Sequence, residues 1–206
     1  MTSVFRLAIL ETDKTPSSIS DTQGSYGDIV ERLVRRGFEQ AEGPVPELQI
    51  TKWDVVKAQS YPRLDEIDGI LARALGGRVI KNPKGCELSV TKVDLTPSGI
   101  DLFGVGHLNL HQMHLDTVVE TPPGMEILGS SAISEVQFMY EPGRVLGIQG
   151  HPEANAFIIK QYLDSRFEQN LIEDREYQEA LSKIDSEHDG DLFAKAIPKF
   201  LFEKRP

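Results

Sequence analysis

The stretch Gln149-Gly150-His151-Pro152-Glu153 carries an imidazole and, two residues on, a carboxylate. That spacing lets one ring nitrogen of His151 face a nucleophile while Glu153 fixes the tautomer from the other. The same division of labour serves nucleophile–base–orienter triads on unrelated folds. The only cysteine in the chain is Cys86. It follows Asn82-Pro83-Lys84-Gly85 at the start of a strand pattern, with no helix N-terminus to lower its thiol pKa. It is therefore expected to fill a core or loop position. His107, His111, His114 and Asp116 are residue types that ligate metals. Leu108, Leu110 and Leu115 interleave them in a strand-and-loop pattern, so His111 and His114 should point to opposite faces. No metal and no cofactor are expected. Gly76-Gly77 reads as a helix cap and not as a phosphate cradle.

The elements that must hold these residues follow from the hydrophobic pattern. VFRLAIL at residues 4–10 reads as an opening, buried strand, followed by a loop rich in Ser, Thr and Pro. Tyr26, Ile29, Val30, Leu33, Val34 and Phe38 fall at helical spacing behind Gly24 and Ser25, and the arginines Arg32, Arg35 and Arg36 occupy the other face. Glu47 to Val56 is a second strand candidate, and Leu64 to Leu71 contains a third. LARALGG at residues 71–77 has the composition of the last turns of a helix, yet no helix start precedes it. Ile70 belongs to a strand and Leu71 to a helix ending, with no turn between them. Beyond this point Glu87 to Leu95, Leu108 to His114 and Thr117 to Glu120 are β-leaning. Val136 to Tyr140 and Arg144 to Gln149 bracket Glu141-Pro142-Gly143 as a hairpin. Phe157, Ile158, Tyr162, Phe167 and Leu171 mark a helix, and Leu192 to Phe202 a shorter one.

Composition narrows the function classes. A chain of 206 residues, 39% hydrophobic and 26% charged, has the makeup of an ordinary globular protein. No apolar run approaches the roughly 20 residues that span a bilayer, and no secretory leader pattern is visible, so a soluble, cytoplasmic protein is expected. The net charge of −10 comes from 32 acids against 22 bases. Ten acids and three bases lie between Asp164 and Asp191, where phosphate backbones would be repelled. Neither nucleic acid nor membrane is an expected partner.

LARALGG, NPKG with ELSVTKVDL, LNLHQMHLD, EILGSS and RVLGIQGHPE occur in the order and approximate spacing of the class I glutamine amidotransferases, and the chain resembles that family from Val4 to about Tyr162. It is most similar to stand-alone fungal members related to the glutaminase domain of GMP synthase. The resemblance implies an α/β fold: an open, mixed, mainly parallel sheet with a flavodoxin-like core, flanked by helices. It implies a Cys-His-Glu glutaminase in which a cysteine attacks the glutamine amide, with His151 as base and Glu153 as orienter. His114 and Asp116 match a His-x-Asp segment near the glutamine pocket. It implies amide-nitrogen or glutamyl transfer from glutamine to a small-molecule acceptor, with a synthetase as partner and a place in secondary metabolism.

The family places its Gly-x-Cys-x-Gly elbow just before the helix that ends in LARALGG. Here Asp68-Gly69-Ile70 runs straight into Leu71, so the resemblance implies that a βα-plus-β section of roughly 30 or more residues is missing at this junction. Nucleophile and oxyanion loop would go with it. Three readings follow: an amidotransferase whose missing block is a splicing or gene-model error, a non-catalytic ligand-binding or partner subunit, and a chain that folds poorly because strand edges are exposed. One domain over 1–206 is expected, comprising an N-terminal βαβ part at 1–70, a β-rich half at 71–160 and acidic C-terminal helices at 161–206.

Overall fold

The structure, a computed structural model, describes residues 4–11, 14–60, 69–71 and 78–202, with only the backbone at 69–71. Strand β1 (Val4–Glu11) lies between β2 (Glu47–Asp54) and β3 (Gly69–Leu71) and is parallel to both. Its consecutive residues Leu7, Ala8 and Ile9 are all buried, as expected of a parallel strand covered on both faces. Leu71 completes β3, so it closes a strand and does not belong to a helix ending. The remainder of LARALGG, and the Leu64–Asp68 part of the third strand candidate, lie outside the described residues.

The short helix α1 (Ser17–Gln23) and the amphipathic helix α2 (Tyr26–Glu39) follow β1. A reciprocal capping box starts α2: Asp28 N–H donates to Ser25 Oγ at 3.2 Å, and Ser25 N–H donates to Asp28 Oδ2 at 2.7 Å. Gly27 N–H donates to Glu11 Oε1 at 2.8 Å, which ties the first turn of α2 to the end of β1.

The second half is antiparallel. Strand β4 (Arg78–Lys81) pairs with β7 (Asp116–Glu120), and β5 (Glu87–Leu95) pairs with β6 (His107–His114) in a register that sets Glu87 opposite His114. Helix α3 (Pro97–Phe103) joins β5 to β6. Strands β8 (Glu126–Ile127) and β9 (Gly129–Ser130) are short, and β10 (Phe138–Glu141) and β11 (Val145–Ile148) form the hairpin expected around Glu141-Pro142-Gly143. Three helices close the chain: α4 (Ala156–Glu168), α5 (Asp174–Lys183) and α6 (Gly190–Phe202). One core cluster packs Leu33, Val34 and Phe38 of α2 with Phe138, Phe193 and Ile197. A second joins Ile19 and Ile29 to Met113, Ile158 and Leu163.

Helices α1, α3 and α5 and strands β4, β8 and β9 have no counterpart among the sequence-derived elements. Helix α1 contributes one buried residue, Ile19, so it leaves no period to read. Helix α3 did carry signals: Thr96 caps it, Pro97 opens it, and Gly104 ends it in the left-handed conformation at φ 76°. Helix α5 is nearly all polar and buries only Ala180.

Candidate active site

The carboxyl ends of β1 and β11 and the start of α2 converge, which is where open α/β sheets place their chemistry. Past β11 the chain turns through Gln149 to Glu153. His151 N–H donates to the carbonyl of His111 on β6 at 2.8 Å, and Ala154 N–H returns to the His151 carbonyl at 3.1 Å. Asn155 then caps α4, its side chain accepting from Ile158 N–H at 3.0 Å. Gly150 packs closely here: a Cβ would lie 2.8 Å from Gln112 Nε2, so the amide buried beneath the turn would have to shift.

His151 and Glu153 meet as the sequence pattern anticipates. Nδ1 of His151 lies 2.9 Å from Glu153 Oε1, and their side chains are 14% and 8% exposed. The same oxygen accepts from the Tyr26 hydroxyl at 2.7 Å. Burial alone would raise the Glu153 carboxyl, but the charge of His151 and hydrogen bonds from His151 and Tyr26 outweigh it and hold the group below its ordinary value. An ionised Glu153 accepts a proton-bearing Nδ1 and so leaves the lone pair of a neutral His151 on Nε2. Among the described residues Nε2 has no hydrogen-bond partner.

His151, Glu153 and Tyr26 line a cavity of about 70 Å³, together with Lys14, Met113 and Arg166. A larger cavity, of about 360 Å³, has Met113 and Arg166 in its wall as well, and adds His114 and Asp116. The two sequence-predicted pairs therefore border neighbouring spaces. His114 is fully engaged: Nδ1 lies 2.8 Å from the Asp116 carbonyl, and Nε2 lies 3.1 Å from Gln112 Oε1 and 3.2 Å from Glu87 Oε2. Asp116 is exposed, and its carboxylate makes no hydrogen bond or ion pair among the described residues. Burial would raise the Glu87 carboxyl, but hydrogen bonds led by His114 lower it on balance. His111 turns to the other face, as strand alternation requires. It is 2% exposed and its ring centroid lies 4.6 Å from that of His188.

Cys86 does not line the His151 cavity. It packs against the second core cluster. Burial, with a hydrogen bond to Glu176 on α5, pushes its thiol up to about 11. A thiol in that state is a poor nucleophile at neutral pH.

Tyr26, Gln112, Glu87 and Arg166 went unread in the sequence as site residues. Tyr26 looked like one more apolar position of α2, and its contact with Glu153 spans 127 residues. No local signal reports such a pairing.

No family model matches the chain. It is 38% identical to a glutamine amidotransferase-like protein of Schizosaccharomyces pombe over 254 aligned positions, covering 97% of this chain and 99% of that protein. This chain belongs to the glutamine amidotransferase-like family. The alignment, at 254 positions, is longer than the 206 residues available here, so the amidotransferase-like relative carries residues with no counterpart in this chain. The chain is also similar to gamma-glutamyl peptidase 4 of Arabidopsis thaliana, 27% identical over 144 residues (62% of this chain, 57% of that one). A glutamine-hydrolyzing GMP synthase subunit from Saccharolobus solfataricus is 35% identical over 86 residues (41% and 45%). Among solved structures, a glutamine amidotransferase from Thermotoga maritima superposes with a TM-score of 0.66 at 15% identity, covering 97% of this chain and 99% of that one. It places the amidotransferase-like chain in the expected α/β, flavodoxin-like fold.

Proposed function

We propose that this protein keeps the base-and-orienter half of an amidotransferase site, binds glutamine or a γ-glutamyl compound there, and does not hydrolyse it. The carrying observation is the Tyr26–Glu153–His151 chain, which leaves Nε2 of His151 as a base beside a cavity that no thiol lines. In a complete site a cysteine sulfur would attack the amide carbon and pass its proton to Nε2, which would return it to the departing ammonia. With no sulfur there, the base has nothing to activate. His114 and Asp116 are assigned to the substrate side, His114 as a fixed wall and Asp116 as an acid facing the wider cavity. The whole chain, 1–206, is taken as one such unit, comprising 1–70, 71–160 and 161–206.

The test is ammonia and glutamate release when the purified full chain is mixed with L-glutamine, or with a γ-glutamyl peptide, beside a His151→Ala control. Equal backgrounds are expected. Turnover that depends on His151 would overturn the proposal.

A second reading, an active amide-nitrogen or glutamyl transferase, is favoured by the length of the fission yeast alignment. On that reading the block missing at Ile70/Leu71 was lost through a splicing or gene-model error, and the mature transcript across those codons contains an in-frame stretch encoding Gly-x-Cys-x-Gly. An uninterrupted junction leaves the non-catalytic ligand-binding or partner subunit. The GMP synthase relatives support a synthetase partner, and a pull-down from the source cell would find one. A secondary-metabolite acceptor and a cytoplasmic address rest on the family resemblance and on composition. Among the described residues no helix is long and apolar enough to cross a membrane.

A further inference from the structure

Arg166 lies in the last turn of α4, half-buried, in the walls of both the His151 cavity and the wider His114–Asp116 cavity. Its guanidinium makes no hydrogen bond or ion pair among the described residues. By contrast, the exposed side chains of Arg35, Arg36, Arg78 and Arg144 each pair with a carboxylate. A half-buried guanidinium that forms no ion pair or hydrogen bond among the described residues incurs a desolvation cost that those residues do not offset. The opposite charge is available in the same wider cavity, in Asp116, yet the two form no ion pair. One cation and one acid held apart around a common space complement a zwitterion.

We infer that Arg166 is the carboxylate-recognising residue of this site: it holds the α-carboxylate of an amino-acid head group while the γ-carbonyl end of the same molecule lies toward His151. The inference rests on the proposed glutamine or γ-glutamyl ligand and names the part of it that is read. A planar guanidinium meets a carboxylate through two parallel N–H···O bonds, which an ammonium cannot reproduce. Asp116, on the same cavity, is placed for the α-ammonium. Free glutamine and γ-glutamyl peptides share this head group, so the pocket reads both and leaves the space beyond the γ-carbonyl to tell them apart.

Equilibrium binding to the full chain tests this without any turnover, using calorimetry with L-glutamine, L-glutaminamide (the same molecule with its α-carboxylate made neutral) and γ-L-glutamylglycine. The unsubstituted protein is expected to prefer glutamine over glutaminamide by about tenfold or more, the scale of a charge-assisted hydrogen-bond pair. Arg166→Gln should bring that preference to within about twofold while leaving glutaminamide binding unchanged, and Arg166→Lys should fall between. The lysine variant carries the test if the glutamine variant does not fold. Glutamine and γ-L-glutamylglycine should lose affinity in parallel in Arg166→Gln; loss for the dipeptide alone would mean that Arg166 reads the terminal glycine carboxylate, which overturns the α-carboxylate assignment. A wild-type preference for glutamine retained in Arg166→Gln would overturn it too, with the glutamine-site reading intact. Failure of the unsubstituted protein to bind any of the three ligands would instead sink the glutamine-site reading, and this inference with it.

Discussion

The Tyr26 hydroxyl donates to Glu153 Oε1 at 2.7 Å, onto the same oxygen that holds His151 Nδ1 at 2.9 Å. Helix α2 thereby fixes the orienter, and through it the imidazole, from the opposite end of the chain. The capping box at Ser25 and Asp28 and the anchor from Gly27 to Glu11 set where that hydroxyl lies. Sequence distance hides this coupling, but the site's protonation depends on it.

Tyr26→Phe should remove one of the hydrogen bonds that hold the Glu153 carboxyl below its ordinary value. A folded-state carboxyl that is lowered contributes stability above the unfolded pKa, and that stability is lost as pH falls through the folded value. The variant should therefore lose about 1.5–3 kcal/mol at pH 7, the net worth of a hydrogen bond to a charged group. Its stability should also fall less steeply between pH 5 and lower values than that of the parent. Urea unfolding at several pH values reads both effects. An unchanged acid limb would show that Tyr26 does not act through Glu153.

His111 carries linkage of the same sign, since its folded-state pKa is also lowered and its contribution is also lost on acidification. Burial, reinforced by the charges of His188 and His151, lowers its imidazole from 6.5 to about 4. Glu153 is the one acid opposing that shift. The unfolded chain takes up this proton near pH 6.5 and the folded chain does not, so the contribution is full above 6.5 and drains away as pH falls toward 4. The loss amounts to about 3 kcal/mol over that window. His111→Leu should flatten the urea midpoint between pH 6.5 and pH 4.5, and an undiminished slope would place the acid sensitivity elsewhere.

Much of this was legible in the sequence because the signal was local. The Gly24–Ser25 start and 3.6-residue period announced α2, and the alternation around Leu108 and Leu110 announced β6 and sent His111 and His114 to opposite faces. The His-x-Glu spacing announced the contact of His151 with Glu153. The remainder was set by tertiary packing. Arg166 looked like one basic residue within an acidic stretch, and its place between two cavities exists only once α4 packs beside β6. Gln112 read as a polar position of a strand, and only the return of the Gly150 turn over it makes it part of the site. LARALGG misled at its first residue, because Leu71 takes its conformation from pairing in β3 with Ile9 and not from its helix-forming neighbours.

Helices α2 and α6 touch through backbone. A Cβ on Gly37 would lie 2.0 Å from the Ala194 carbonyl oxygen, so the two helices can approach this closely only with glycine there. Elsewhere in a helix, glycine to alanine is favourable by up to about 1 kcal/mol. Here Gly37→Ala should destabilise by about 2–3 kcal/mol through overpacking. Gly106, whose added Cβ would meet nothing within 4 Å, provides the control, and Gly106→Ala should stay within about 0.5 kcal/mol of the parent. Equal urea midpoints for the two variants would mean that α6 can shift away from α2 without cost.

Cys86 decides whether the chain could have moved its nucleophile to a new place. Its thiol is pushed up to about 11 by burial and by the Glu176 carboxylate, with Lys81 and Arg166 opposing too weakly to compensate. Only the thiolate reacts with iodoacetamide, and a thiol raised by about two pH units above its ordinary value holds roughly one-hundredth of the usual thiolate at pH 8. Alkylation of the native protein should accordingly be about a hundred times slower than that of a free thiol and should climb steadily as pH rises toward 11. His151→Ala should leave the rate unchanged, because the imidazole does not share a cavity with the sulfur. Glu176→Gln, which removes the nearby negative charge, should speed the reaction. Fast alkylation at pH 7 that depends on His151 would place the two groups in contact and make Cys86 a working nucleophile; slow, His151-independent alkylation leaves the base without a sulfur partner.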